Sequence, residues 1–95
     1  MTAFSWLATA NRYSPGVPTV HREAGCVFFF YAEEGTEPPH VHVDKGGGSA
    51  KLWLQPLRLA RADGLKVTEL RQILRIAERN QGKLIREWNE FFGQS

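Results

Sequence analysis

The stretch HVHVDKGGGSAKLWL, residues 40–54, constrains this chain most. Apolar residues take every second position on both sides of three glycines, and period two is the mark of a strand with one buried face. Val41 and Val43 must share a face with Ala50, Leu52 and Leu54, because a slip of one residue would turn the whole apolar set to water. The reading is a hairpin in which KGGG joins HVHVD to SAKLWL. Its register puts His40, His42 and Asp44 on the opposite face, beside Lys51 and Trp53. Pro38-Pro39 fixes how the chain arrives, since proline locks φ and restricts the residue before it.

The same logic extends outward. PTVHRE and CVFFFYA read as a first hairpin with a tight turn at Ala24-Gly25. CVFFFYA is apolar on both faces, with Cys26, Phe28 and Phe30 on one and Val27, Phe29 and Tyr31 on the other. Such a strand is central and covered on both sides, by a loop, by the N-terminal segment or by a partner. EEGTEPP is a loop, because two prolines do not fit inside a paired strand. Gln55-Pro56 breaks the second hairpin, and LRLAR adds a short edge strand ending at Asp63-Gly64.

Beyond that the period changes. Leu70, Ile73, Leu74 and Ala77 recur at helical spacing, with Thr68 as N-cap and Glu69 in the first turn. Asn80-Gln81-Gly82 marks a break. A second helix carries Leu84, Ile85, Trp88, Phe91 and Phe92, and Gly93 ends it. The expected fold is α+β: a small antiparallel sheet of two hairpins, about four or five strands, followed by a C-terminal helical hairpin over one sheet face. Residues 1–16 differ in composition, with a breaker at Ser14-Pro15-Gly16 and a short amphipathic turn at Phe4, Trp6 and Leu7. They read as a loose extension before a single domain, residues 17–95.

With 95 residues the chain buries only part of its surface, so a partner would help it. Its net charge of +2 is too small to argue for nucleic acid alone. Cys26 is the only cysteine, which excludes an internal disulfide and suits a buried residue in a reducing compartment. No run approaches the ~18 apolar residues of a membrane span, and no secretion signal opens the chain. The expected location is the cytoplasm, away from membranes.

Three readings compete for the histidine face. In the first, His40 and His42 are ligands of a metal. Zinc then needs a third or fourth donor, and His21, Asp44, Glu33, Glu34 and Glu37 are the residues on offer, without a cysteine pair. In the second, His40 and His42 serve as base and acid on RNA. Lys51 stabilises the phosphate charge and Trp53 stacks a base, with neither metal nor cofactor. In the third, the face is an interface whose anchor is Trp53. Arg71, Arg75 and Arg79 form one stripe on the first helix, continued by Lys83 and Arg86. That stripe grips phosphates or an acidic partner, or is a solvated helix face.

EPPHVHV, the glycine turn, AKLWL, the helix opening ELRQIL and the ending EWNEFFG together resemble the small bacterial proteins called domain of unknown function 4160. The resemblance runs from about Val17 to Gly93. The family's hallmark positions fall here on Glu37, Pro38, Pro39, His40, His42, Trp53, Glu69, Arg71, Trp88 and Asn89. Val17-Pro18-Thr19-Val20 stands where the family begins Met-Pro-Thr-Val, which makes Val17 a candidate first position. The resemblance implies a two-gene, toxin–antitoxin-like arrangement with a small cognate antitoxin-like protein, and it supplies no reaction. The expectation is a toxin-like component that acts on RNA, as a metal-independent ribonuclease or an RNA-binding growth inhibitor. His40, His42 and Lys51 would be catalytic, and Trp53, Arg71, Arg75 and Arg79 would bind the nucleic acid. The alternative is a non-enzymatic module, antidote or regulator, that docks a small protein.

Overall fold

The computed structural model describes residues 18–93. Five strands come first: β1 Thr19–Glu23, β2 Cys26–Phe29, β3 His40–Lys45, β4 Gly48–Leu54 and β5 Leu57–Asp63. A 3-10 turn, Ala32–Glu34, interrupts the β2–β3 loop, and two helices close the chain, α1 Val67–Arg79 and α2 Gln81–Phe91. The strands form one antiparallel meander in chain order, β1-β2-β3-β4-β5. The fold is α+β, as the change of period implies.

Short turns make the meander. Ala24 and Gly25 have φ of 53° and 78°, the left-handed pair that a type I′ hairpin turn requires. Lys45 pairs with Gly48, so the second turn is Gly46-Gly47 and not the whole of KGGG. Gln55-Pro56, joined by a cis peptide bond, makes the third turn between Leu54 and Leu57. The break expected there is therefore a hairpin turn, and β5 runs for 7 residues as a full strand. Its apolar residues, Leu57, Leu59, Ala60 and Ala62, do not alternate cleanly and nearly all its side chains are exposed, so the ladder to β4 defines it as a strand.

Helix boundaries also shift slightly. The N-cap of α1 is Lys66, whose backbone N–H donates to the Glu69 carboxylate at 2.9 Å; Thr68 lies inside the helix. Asn80 alone separates α1 from α2, and its side-chain amide donates to the Ile76 carbonyl at 2.8 Å. Gly82 sits within α2 and does not break it.

The hairpin register is the one that the alternation demands: Val41 pairs with Leu52 and Val43 with Ala50. These residues join Cys26, Phe28, Phe30 and Leu54 on one sheet face, where Ile73, Ile76, Ala77, Leu84 and Trp88 of the helices cover them. Each such fully buried large side chain stabilises the fold by about 1.5–3 kcal/mol. Polar tethers fix the helical layer at one edge. Lys83 donates to His21 Nδ1 at 2.9 Å, His21 Nε2–H donates to Glu23 at 3.0 Å, and Arg79 also reaches Glu23. Gln81 donates to the Leu54 carbonyl at 2.7 Å. Cys26 is fully buried, and burial pushes its thiol pKa up, which keeps it unreactive. Val17 and the 1–16 extension, with its turn at Phe4, Trp6 and Leu7, lie outside the described residues.

Candidate functional site

Period two places His40, His42, Lys51 and Trp53 on the sheet face opposite Val41, Val43 and Leu52, with His40 paired to Trp53 and His42 to Lys51. The β2–β3 loop decides what they meet. Phe30 N–H bonds the Pro18 carbonyl at 3.2 Å, and Leu54 N–H bonds the Pro39 carbonyl at 3.0 Å, which pins both loop ends to the sheet. Between them the chain turns through Glu34, whose N–H bonds the Tyr31 carbonyl at 3.1 Å. Gly35 then packs against Phe92 so closely that an added Cβ would lie 2.4 Å from the ring. Any larger residue there would have to displace the Phe92 ring, next to the turn that carries Glu34.

One carboxylate oxygen collects both imidazoles. Glu34 Oε1 lies 2.7 Å from His40 Nε2 and 2.6 Å from His42 Nε2. The Nδ1 of His40 faces the Pro38 carbonyl at 3.0 Å. His40 is fully buried and His42 is 6% exposed. Aromatic rings wall the pair: Trp88 at 4.9 Å and Trp53 at 5.6 Å from His40, Tyr31 at 4.5 Å and Phe29 at 5.7 Å from His42. The Trp88 indole N–H is buried with no acceptor among the described residues.

The electrostatics follow from this enclosure. Burial alone would push the Glu34 carboxyl up, but hydrogen bonds from His40 and His42 outweigh it and the net shift is down. Burial pushes His42 below its ordinary value, and the Glu34 carboxylate only partly restores it. An ionised carboxylate beside a neutral His42 imidazole is the resting state near neutrality. Glu34, His40 and His42 are also the residues whose ligand atoms converge, all within 4.8 Å of one another.

The neighbouring polar groups already have partners. Lys51 donates to Glu37 Oε1 at 2.8 Å and lies 4.6 Å from the Trp53 ring centre. A phosphate at Lys51 would compete with Glu37, and a base stacking on Trp53 would compete with Lys51. Arg71 and Arg75 are exposed on α1, whose apolar side packs on the opposite sheet face, and Arg79 is engaged with Glu23. The structure thus brings His40, His42, Lys51 and Trp53 together and leaves the arginine stripe elsewhere. His21 also lies apart, held between Lys83 and Glu23.

Sequence reasoning did not single out Glu34 from the other loop acids, nor Tyr31, Phe29 and Trp88 as walls. A signal for Glu34 existed. β2 and β3 are antiparallel neighbours, so the loop must fold back and an acid six residues before His40 can reach the start of β3.

No curated protein and no solved structure matches the chain. The family described as Domain of unknown function (DUF4160) matches residues 25–89, from the first turn to near the end of α2, and so takes in the β2–β3 loop and every residue of the histidine centre. The chain belongs to the DUF4160 family.

Proposed function

We infer that this chain is a protein-binding module, working with a second small protein in the toxin–antitoxin-like arrangement that its family resemblance implied. The observation that carries the reading is β5. It is an edge strand of 7 residues, exposed along its length except at Leu57, and no described strand pairs with its outer side. Such a strand offers a row of backbone donors and acceptors to an added strand. Arg58 and Arg61, across from Trp53 and Lys51, project on the site-bearing face and form no ion pair among the described residues. Two copies of β5 would set these cations near each other, whereas an acidic strand would meet both favourably. The existing contacts of this face support the same choice over catalysis, because Lys51 is already held by Glu37 and both histidines are buried, so a substrate phosphate would have to displace contacts already made.

The test is a titration of the full chain with the small antitoxin-like protein proposed as its partner. Arg58→Glu combined with Arg61→Glu should weaken binding by about tenfold or more, while His42→Ala should change it little. Equal binding by the charge-reversed variant would remove the reading.

One observation favours a second reading, a growth-inhibiting ribonuclease. His42 and Lys51 are cross-strand neighbours at the more open end of the centre. His42 would be the base, Lys51 the anion stabiliser, and His40, buried behind them, a positioning residue. Induced expression of the full chain would then arrest growth, and equally soluble His42→Ala would not. Arrest that survives His42→Ala would exclude this role.

A further inference from the structure

The partner-binding reading leaves the chemistry of the Glu34–His40–His42 cluster unused. The far side of the His40 ring decides what lies between its members. Nδ1 is 3.0 Å from the Pro38 carbonyl oxygen, and a carbonyl only accepts, so a neutral ring that serves this contact carries its proton on Nδ1. In a neutral ring Nε2 then offers a lone pair to a carboxylate oxygen 2.7 Å away. Two acceptors at that distance repel unless a cation lies between them. Either the ring takes its other tautomer, with Nδ1 facing the carbonyl without a proton, or a cation such as a metal ion lies there. An imidazole whose one nitrogen is fixed by a backbone carbonyl, while the other points into a cluster of donors, is how metal-binding histidines are held.

We propose that Glu34, His40 and His42 bind one divalent transition-metal ion of the zinc class, through Oε1 of the glutamate and Nε2 of each histidine. Two imidazoles and a carboxylate form a donor set that zinc accepts with three protein ligands, leaving a fourth position for water. Magnesium and calcium prefer oxygen ligands and suit the set poorly. Zinc–ligand bonds of about 2.0–2.2 Å spread the donors to roughly 3.3–3.5 Å in a tetrahedral site. Glu34 must therefore retreat slightly, and the imidazoles must close on the ion from within the 4.8 Å that now encloses all three ligand atoms. Glu34 has the freedom to do so, since its side chain is 26% exposed on a single 3-10 turn. The rings of Trp88, Trp53, Tyr31 and Phe29 keep both imidazoles aimed inward. Bound there, the ion ties the β2–β3 loop to β3. The site stands apart from β5, so it does not depend on the partner-binding reading.

The full chain, untagged and stripped with chelator, is titrated with Co²⁺ and then with Zn²⁺. The expected result is one equivalent of Co²⁺ taken up with the visible absorption of a four-coordinate site, and its displacement by Zn²⁺. His42→Ala and Glu34→Gln should each weaken the metal by about tenfold or more. His21→Ala, remote from the cluster, should not. Zinc should also raise the melting temperature of the wild type and leave that of Glu34→Gln unmoved. Absence of stoichiometric uptake would overturn the proposal and leave the other tautomer of His40 as the account of its contact with Glu34. Uptake unaltered by Glu34→Gln and His42→Ala would overturn it as well. Should His42→Ala fail to fold, Glu34→Gln decides alone, because it changes a loop residue that is not part of the core.

Discussion

At the scale of single residues, Glu34 organises the histidine face. Its pKa is lowered from 4.5, and that of His42 is lowered from 6.5. A group whose folded pKa is depressed binds more protons in the unfolded chain, so stability rises with pH across that window. Both shifts have the same sign. The folded state should therefore lose stability as pH falls, first below about 6.5 as His42 is forced to protonate and again below about 4.5 at Glu34. Chemical denaturation at a series of pH values measures this, and His42→Asn should flatten the upper part of the curve. A wild-type stability that rises between pH 7 and 5 would contradict the arrangement. Which residues share this face was legible in the sequence, because alternation fixes the partners of His40 and His42. Their burial was not legible, since it depends on the loop returning over them and on Gly35 fitting against Phe92.

At the scale of elements, the ladder and its turns carry the argument. β3 and β4 could be read in register because Val41, Val43, Ala50, Leu52 and Leu54 alternate without interruption. β5 was read as a short edge strand ending at Asp63-Gly64, and it ends at Asp63 as a strand of 7 residues. LRLARAD has exposed side chains at nearly every position and forms a strand only by pairing with β4, with an irregularity opposite Lys51 and Leu52. The cap of α1 was misplaced for a related reason: Thr68 is the better capping residue, but Glu69 closes on the backbone of Lys66 instead. The first turn gives a prediction. Ala24 holds φ of 53°, a conformation that costs an L-residue about 1–2 kcal/mol. Ala24→Gly should relieve part of this and raise stability by about 0.5–1 kcal/mol after glycine's greater unfolded freedom is subtracted. Denaturant midpoints measure the change, and a destabilised variant would mean that the turn is not of the I′ form.

At the scale of the whole molecule, two layers share one core, and Trp88 joins that core to the site. The indole is fully buried, meets Phe30 at 5.4 Å and Phe92 at 4.1 Å, and walls His40. Trp88→Ala should cost about 3–5 kcal/mol and loosen the β2–β3 loop, whereas Ile73→Val, in the core but away from the site, should cost about 0.5–1.5 kcal/mol. The two-layer plan was legible because the period changes once along the chain, from two to 3.6. No comparable pattern marked where function lies, because a closed histidine centre and an open edge strand look alike as strings of residues. The central claim is that a partner adds to β5 and leaves the histidine face closed. Amide hydrogen exchange of the full chain, with and without the small antitoxin-like protein proposed as its partner, tests this most directly. The account predicts new protection concentrated in residues 57–63, with β3 unchanged. Protection confined to β3 and the loop before it, with β5 exchanging as in the free chain, would contradict it.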